Sequence, residues 1–441
     1  MSGELRRAMR ITLKGSLGRY LTMMLEGALF LIFLLWASKT LVAYRSAQVP
    51  SVQNLLRAVR LDPSNSDYHL RLGRVFQYSL ADLDPGRAAE HFRKAAELSP
   101  YNPQPWLDLG AALEFQGKTT EAETCLRRAD LMAPNLPAFQ WAIGNFFLLH
   151  GNVDEAFRHF RVVLTGSSQY NQILFSTAWK ASGDADKILE QLIPDQARTE
   201  LPYLYYLVAQ QRFPEAQRVW KRIASNPETF APIQASEYME RLIAAHRPAE
   251  AYQVWTDLRR KGLIAANYQA TSKNLLRNGD FEERVLHIGF DWRIVPFEDV
   301  YAGIDRTTFH SPSNSLVIQF SGKQNLDYRH VFQYVKVEPQ HSYRLRGFMK
   351  SEGITTESGP RLAVRDAYDP GLLETYSEDL EGTTMSWAPV AVDFTTGPRT
   401  ELIAVSISRL PSRKLDNLIA GKVWVDDLIL TAGPTETAHA R

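Results

Sequence analysis

Residues 20–44 read YLTMMLEGALFLIFLLWASKTLVAY, and no second run of that length and apolarity follows in the 441 residues. A spanning helix needs about 20 mostly apolar residues to cross a hydrocarbon layer about 30 Å thick. The stretch from Gly27 to Ser38 carries no charge, and Glu26 and Lys39 bracket it. Tyr20, Trp36 and Tyr44 suit the two interfaces, and Lys39 can reach back toward headgroups. A carboxylate at mid-bilayer costs about 2.5–3.5 kcal/mol on insertion scales and much less near one end. Glu26 is therefore read as interfacial, the alternative being a carboxyl turned toward a partner inside the membrane. The pattern predicts a single transmembrane helix over 20–44 carrying a large water-exposed body.

Arg6, Arg7, Arg10, Lys14 and Arg19 precede the apolar run, against Glu4 alone. By the positive-inside rule this predicts a cytoplasmic basic tail over 1–19 and a body on the far side. The segment after the run, SKTLVAYRSAQ, carries Arg45 where a cleavable signal needs a small residue, so an uncleaved anchor is expected. The single cysteine, Cys125, allows no intramolecular disulfide and sits where a small buried residue fits a helix. A secreted body of this size usually carries several cysteines where the setting is eukaryotic. A bacterial inner membrane with a periplasmic body is the expected location. Net charge is +1 with dispersed basic residues, which argues against a nucleic-acid partner.

The next region repeats. Gly110 to Gly144, Gly117 to Gly151, Ala122 to Ala156 and Pro100 to Pro134 are each 34 residues apart. The best copy, PQPWLDLGAALEFQGKTTEAETCLRRADLMAP, resembles the tetratricopeptide repeat (TPR) through Trp106, Leu109, Gly110, Ala122, Ala129 and Pro134. The copy before it carries Leu72, Gly73, Ala88, Phe92, Ala95 and Pro100, with about three extra residues expected in its LADLDPG loop. The copy after it carries Gly144, Gly151, Ala156 and Phe160. Farther on, FPEAQRVWKRI and PAEAYQVWTDL are near copies, with Ala216 to Ala251 and Trp220 to Trp255 each 35 apart. A TPR-like right-handed α-solenoid of about six helix pairs is expected over 51–263, the first either a full or a half repeat, because one pair cannot bury its own apolar face. The resemblance implies a groove for a protein partner lined from the first helix of each pair, with Arg74, Gln77, Glu114, Trp141 and Asn145 as candidates. Leu70 and Arg74, Leu107 and Ala111, and Trp141 and Asn145 stand where some family members hold a carboxylate clamp, so chaperone-tail binding is not implied.

From about residue 266 the periodicity changes. SLVIQF, VFQYVKV, SYRLRGFM, RLAVRDAY, WAPVAVDFTT, ELIAVSISRL and KVWVDDLIL alternate as half-buried strands do. They predict a β-sandwich over 272–432, followed by a flexible tail at 433–441. NLLRNGDFE at 274–282 and VWVDDLIL at 423–430 resemble the first and last strands of jelly-roll carbohydrate-binding modules of the family 4/9 group, a galactose-binding-like fold. HSPSNSLVIQF and FQYVKVEPQHSYRLRGFMKS resemble two further strands of that group, with Gln340 at the position of a turn glycine. The resemblance implies one cofactor, a structural calcium between the first and last strands, with Asp280, Glu282 and Asp426 as its candidates. It also implies sugar stacking as a second kind of partner contact, with Tyr301, Tyr328, Tyr368 and Tyr376 placed in loops or at strand ends. Trp292, Trp387, Phe394 and Trp424 fit apolar faces instead.

No nucleophile elbow, zinc-helix, phosphate-loop or dinucleotide motif occurs, and a non-enzymatic protein is expected. Two functions follow. One is a membrane-anchored periplasmic scaffold using its repeats for protein–protein interaction, similar to components of exopolysaccharide or O-antigen assembly. The other is an anchored lectin-like protein with the jelly roll as its binding module.

Overall fold

The computed structural model describes residues 16–268 and 270–433, and the chain divides into two compact units between Leu192 and Ile193. The basic residues Arg6, Arg7, Arg10 and Lys14, and the expected tail beyond Gly433, lie outside the described residues.

The first unit opens with α1 (Ser16–Ala47), 32 residues long. At about 1.5 Å per residue this helix is longer than a hydrocarbon layer is thick. It is the one described helix long and apolar enough to cross a membrane. Its apolar side chains are mostly exposed, but one side of its last turns is covered: Ala43 and Ala47 are 0% and 3% exposed where α1 packs on α2 (Val52–Leu61). Three antiparallel pairs follow: α3 (Ser66–Tyr78) with α4 (Pro85–Leu98), α5 (Pro103–Phe115) with α6 (Thr119–Met132), and α7 (Pro137–Leu149) with α8 (Val153–Gly166). Then come α9 (Asn171–Ser182), the short α10 (Ala185–Lys187) and a π-helical turn over Ile188–Leu192.

Local chemistry starts and stops these helices where the repeat requires. Asn65, Asn102 and Asn152 accept from Asp67, Gln104 and Glu155 N–H, and Pro85, Pro103 and Pro137 stand in first turns, where no N–H is needed. Gly117 and Gly151 end α5 and α7 with φ of +75°, a left-handed conformation that favours glycine. Within each pair the helices meet at a glycine. A Cβ on Gly73, Gly110 or Gly144 would stand 2.6, 2.8 or 2.5 Å from Phe92, Leu126 or Phe160. The loop after α3 spans 79–84, against 116–118 and 150–152 in the next two pairs, which is the predicted insertion. Cys125 is buried on α6, and burial pushes its thiol up.

The second unit begins with α11 (Ala197–Ala209), α12 (Phe213–Ser225), α13 (Ser236–Ala244) and α14 (Pro248–Arg260). Counted from α3, the TPR-like array holds six pairs, with α2 as a half repeat against the end of α1. Ala216 and Ala251 are fully buried, and Trp220 and Trp255 lie in the core as the near-copy pattern predicts. Trp220 donates to Asp257 Oδ2 at 3.0 Å, tying α12 to α14.

Two five-stranded antiparallel sheets complete this unit. The strands are β1 (Arg293–Ile294), β2 (Val300–Asp305), β3 (Ser315–Ser321), β4 (Tyr328–Lys336), β5 (Ser342–Glu352), β6 (Arg361–Asp366), β7 (Glu374–Tyr376), β8 (Ala388–Thr395), β9 (Leu402–Arg409) and β10 (Ala420–Ala432). One sheet runs β1-β4-β9-β6-β7, the other β2-β3-β10-β5-β8. From β3 to β6 successive strands alternate between the two sheets, as in a jelly roll. The core between them includes Trp292, Leu316, Val331, Leu345, Val405 and Leu428. All seven predicted strands form. Gln340 takes φ of 54° in the turn between β4 and β5, the conformation usually left to glycine.

The expected first strand at 274–282 is not one. Asn278 and Phe281 have φ of 49° and 53°, which breaks an extended chain. The segment lies beside β10 through two backbone–backbone bonds, Leu275 N–H to Leu430 O and Leu428 N–H to Gly279 O, and two through the Asn274 side chain. Gly279 is pressed so closely on the Leu428 carbonyl that no side chain fits there.

The sandwich and the last helix pair are keyed together. Arg277 is buried, with its guanidinium 5.4, 5.5 and 5.6 Å from the rings of Tyr252, Trp255 and Phe290. Its Nη1 donates to Phe290 O at 3.2 Å. Arg293 pairs with Glu240 of α13, and His246 stacks on Tyr368 at 4.0 Å.

Candidate interaction surfaces

On the array, the five predicted groove residues are all half-buried on first helices of pairs. Arg74 Nε donates to Asp108 Oδ2 at 2.6 Å, one repeat away, and Gln104 holds the other oxygen at 2.8 Å. Trp141 stacks on Tyr170 at 5.0 Å and tilts against Phe160 at 5.7 Å. Asn145 Nδ2 donates back to Trp141 O at 2.8 Å. Glu114 lies 4.0 Å from His150 Nδ1, and Gln77 keeps a buried Oε1 without a donor. Arg74, Trp141 and Asn145 thus bond within the array, while Gln77 and Glu114 retain polar capacity.

A different row stands out from the surface. Tyr78, Phe115 and Leu149 end α3, α5 and α7, each five residues after the crossing glycine of its helix. They are 66%, 64% and 77% exposed. Large apolar side chains recur once per repeat where burial does not demand them. The signal was in the sequence, as a fixed offset from Gly73, Gly110 and Gly144, but only accessibility separates it from the core positions beside it.

On the sandwich, the tyrosines divide. Tyr301 on β2 is 61% exposed. Tyr376 is half-buried, its hydroxyl donating to Glu374 at 2.6 Å. Tyr328, expected at a loop or strand end, starts β4 inside the core at 1% exposure, so it offers no face to a sugar. Burial pushes its hydroxyl far up. Tyr368 is covered on one face by His246.

The three acids considered for calcium do not form a ligand set, and among the described residues no group of three or more His, Cys, Asp or Glu side chains could hold a metal. Asp280 is exposed. Glu282 accepts four bonds, from Ser313 N–H (2.8 Å), Ser313 Oγ (2.6 Å), Asn314 N–H (2.8 Å) and Asn314 Nδ2 (2.7 Å). Against slight desolvation, these donors hold its carboxyl below the usual range. Asp426 is fully buried and accepts from the N–H groups of His310, Ser311 and Asp427 at 2.8, 3.1 and 2.7 Å. Burial pushes its carboxyl up to about 6. Neighbouring Asp427 accepts from Ser311 Oγ at 2.9 Å. Donors of the 310–314 loop meet Glu282 and Asp426, so these two acids anchor that loop. The loop lies over the outer face of the second sheet, where His310 stacks on Phe348 at 3.8 Å.

The comparisons follow the two architectures. No curated protein matches this sequence. Among solved structures, MamA protein is similar at 15% identity over 45% of this chain and 98% of that one, with a TM-score of 0.30. A structure titled for CBM4 is similar at 15% identity over 36% of this chain and 99% of that one, with a TM-score of 0.26. The enzymatically active domain of tailspike protein 4 from bacteriophage CBA120 is similar at 14% identity and a TM-score of 0.27, over 36% of this chain; the match spans only 21% of that tailspike chain. In the array, residues 79–143 match the family model of the tetratricopeptide repeat.

Proposed function

We infer that this is a non-enzymatic, membrane-anchored scaffold that holds a protein partner on its TPR-like array. TPR-like repeats are protein-interaction scaffolds, and one observation carries the reading here: Tyr78, Phe115 and Leu149 form an exposed apolar row at one position of three successive repeats. Isolated exposed apolar residues need no explanation, but one repeated with the structural period marks a contact surface.

The burial of Ala43 and Ala47 on α2 supports an anchor that stays. A cleaved signal would take with it the helix against which the half repeat packs. The basic residues before Tyr20 support a cytoplasmic N-terminus and a periplasmic body in a bacterial inner membrane. A place in exopolysaccharide or O-antigen assembly is the finer form of this reading, and it rests on the sequence resemblance alone.

The test compares detergent-solubilised envelope complexes of the wild type with a variant carrying Tyr78→Glu, Phe115→Glu and Leu149→Glu. All three positions are exposed, and a melt like that of the wild type is required of the variant before the comparison is made. A stoichiometric protein partner retained by the wild type and lost by the variant supports the scaffold. Equal retention, or no partner with either, counts against it. The lectin reading is supported by exposed Tyr301, and the same preparation applied to a glycan array tests it.

A further inference from the structure

We propose that the first unit rests on the bilayer surface along the edge made by its inter-repeat turns, with Tyr101, Leu131 and Leu136 seated in the phospholipid headgroup layer. The proposal rests on α1 being the membrane anchor. Only the four residues 48–51 join α1 to α2, and Ala43 and Ala47 are buried where the two helices pack. A connection that short makes neighbouring helices antiparallel, so α2 runs back toward the bilayer. Its ten residues cover about 15 Å, which brings the turn at 62–65 to about the level of Lys39. The uncharged stretch of α1 ends at Ser38, so that turn stands at the exit from the hydrocarbon.

The later turns continue this edge. Ser66 Oγ, at the start of α3, donates to Ala95 O in the last turn of α4 at 2.9 Å, which levels the turn at 62–65 with that at 99–102. The connections at 99–102 and 133–136 are again four residues long, so the helices keep alternating in direction. The turns at 62–65, 99–102 and 133–136 therefore close the edge near the bilayer. Those at 79–84, 116–118 and 150–152 close the far edge, where Tyr78, Phe115 and Leu149 stand clear for a partner.

The near edge carries the side chains that a membrane interface selects. Tyr101, Leu131 and Leu136 are 89%, 82% and 51% exposed. Trp106 joins their two turns into one patch: its Nε1 donates to Pro100 O at 3.1 Å, and Arg128, one helical turn before Leu131, lies over its ring at 4.4 Å. Amphipathic aromatics and long basic side chains suit the headgroup layer, where an apolar body and a polar tip are both satisfied. The turns stop there, because irregular backbone facing lipid is not tolerated within hydrocarbon. Charge does not select the lipid. Arg71 pairs with Asp67 and Lys94 with Glu97, Asp130 takes Gln140 and Arg158, and Asp62 accepts from Ser64, against Arg57, Arg60 and Arg128 with no ion pair among the described residues. The position of the edge beside the end of the anchor, and its apolar tips, carry the proposal.

The test reconstitutes the full chain in phosphatidylcholine bilayers, whose lipid has no net charge, so that seating is read and not charge attraction. A bimane fluorophore is placed at Asn135→Cys on the near edge, at Lys118→Cys on the far edge about 20 Å along α6, or at Leu31→Cys within α1. Cys125 is buried, and the wild type treated alike gives the blank. A nitroxide on the lipid headgroup should quench the label at 135 and leave the label at 118 bright. Adding Tyr101→Asp, Leu131→Asp and Leu136→Asp should restore most of the emission at 135. No quenching at 135, or equal quenching at 135 and 118, overturns the orientation. Quenching at 135 that is indifferent to the three aspartates overturns the role of those side chains. A label at 31 that a nitroxide on the acyl chain fails to quench overturns the anchor itself, which separates that failure from failure of the seated edge.

Discussion

Replacing Gly144 by alanine tests how the repeats are held together. The new Cβ would stand 2.5 and 2.6 Å from Cε1 and Cδ1 of Phe160. That is roughly 1 Å inside ordinary carbon–carbon contact. The ring cannot swing away freely, because Phe160 is 1% exposed and tilted against Trp141 at 5.7 Å. Overpacking costs about 1–3 kcal/mol, and with the ring confined the upper part of that range applies, about 2–3 kcal/mol, while alanine in a helix interior returns about 1 kcal/mol relative to glycine. The net expectation is a loss of about 1–2 kcal/mol, or a fall of about 2–8 °C in Tm for a unit of this size. The assay is thermal unfolding of the full chain in detergent, following the transition of the first unit. The decisive arm repeats Gly144→Ala in a Phe160→Val background. With the ring gone, the same substitution should stabilise by up to about 1 kcal/mol through helix propensity alone. If Gly144→Ala is neutral or stabilising in the wild-type background, or if its sign does not change without the ring, the account of the crossing glycines is wrong.

Further outcomes follow from other residues. His159 is held down to about 4 by burial and then by Arg158, so it is neutral when folded. Its unfolded form binds the proton first, so it makes the first unit lose stability as pH falls from about 6.5 to 4. His159→Gln should flatten that slope in urea titrations. Asp426 has the opposite sign: its raised value near 6 means the folded state binds a proton more readily than the unfolded one, so its contribution declines as pH rises from about 4 to 6 and is flat above. The stability difference between wild type and Asp426→Asn should show that window. Arg277→Ala removes a buried cation from the box of Tyr252, Trp255 and Phe290, and should cost about 2–4 kcal/mol in denaturant unfolding of the second unit. Glu282→Ala removes the acceptor of four bonds donated by Ser313 and Asn314, so amide exchange at 310–314 should speed up.

The repeats were legible because close helix approach imposes small residues at a fixed spacing, and Gly73, Gly110 and Gly144 state that spacing openly. The strands were legible because alternation survives wherever one face is buried. The end of α1 was not: inside an apolar run, Ala43 and Ala47 look like membrane residues, and nothing in composition tells lipid contact from packing on α2. Nor was the role of the acids. Glu282 and Asp426 lie in the segments the resemblance predicts, but which N–H groups meet each carboxylate depends on the path of the 310–314 loop, which local sequence does not encode. Tyr328 shows a related limit, since a tyrosine at a strand start can point into the core or out of it. The apolar row of Tyr78, Phe115 and Leu149 was written at a fixed offset from the glycines, yet its meaning lies in exposure.

The central claim, a partner held on the array, is tested most directly by placing a photo-crosslinking amino acid at Phe115 in the full chain within its own membrane. The account predicts one protein adduct of defined mass, lost when Tyr78→Glu and Leu149→Glu are added on either side. Crosslinks to lipid or solvent alone, or an adduct indifferent to those two substitutions, would contradict it.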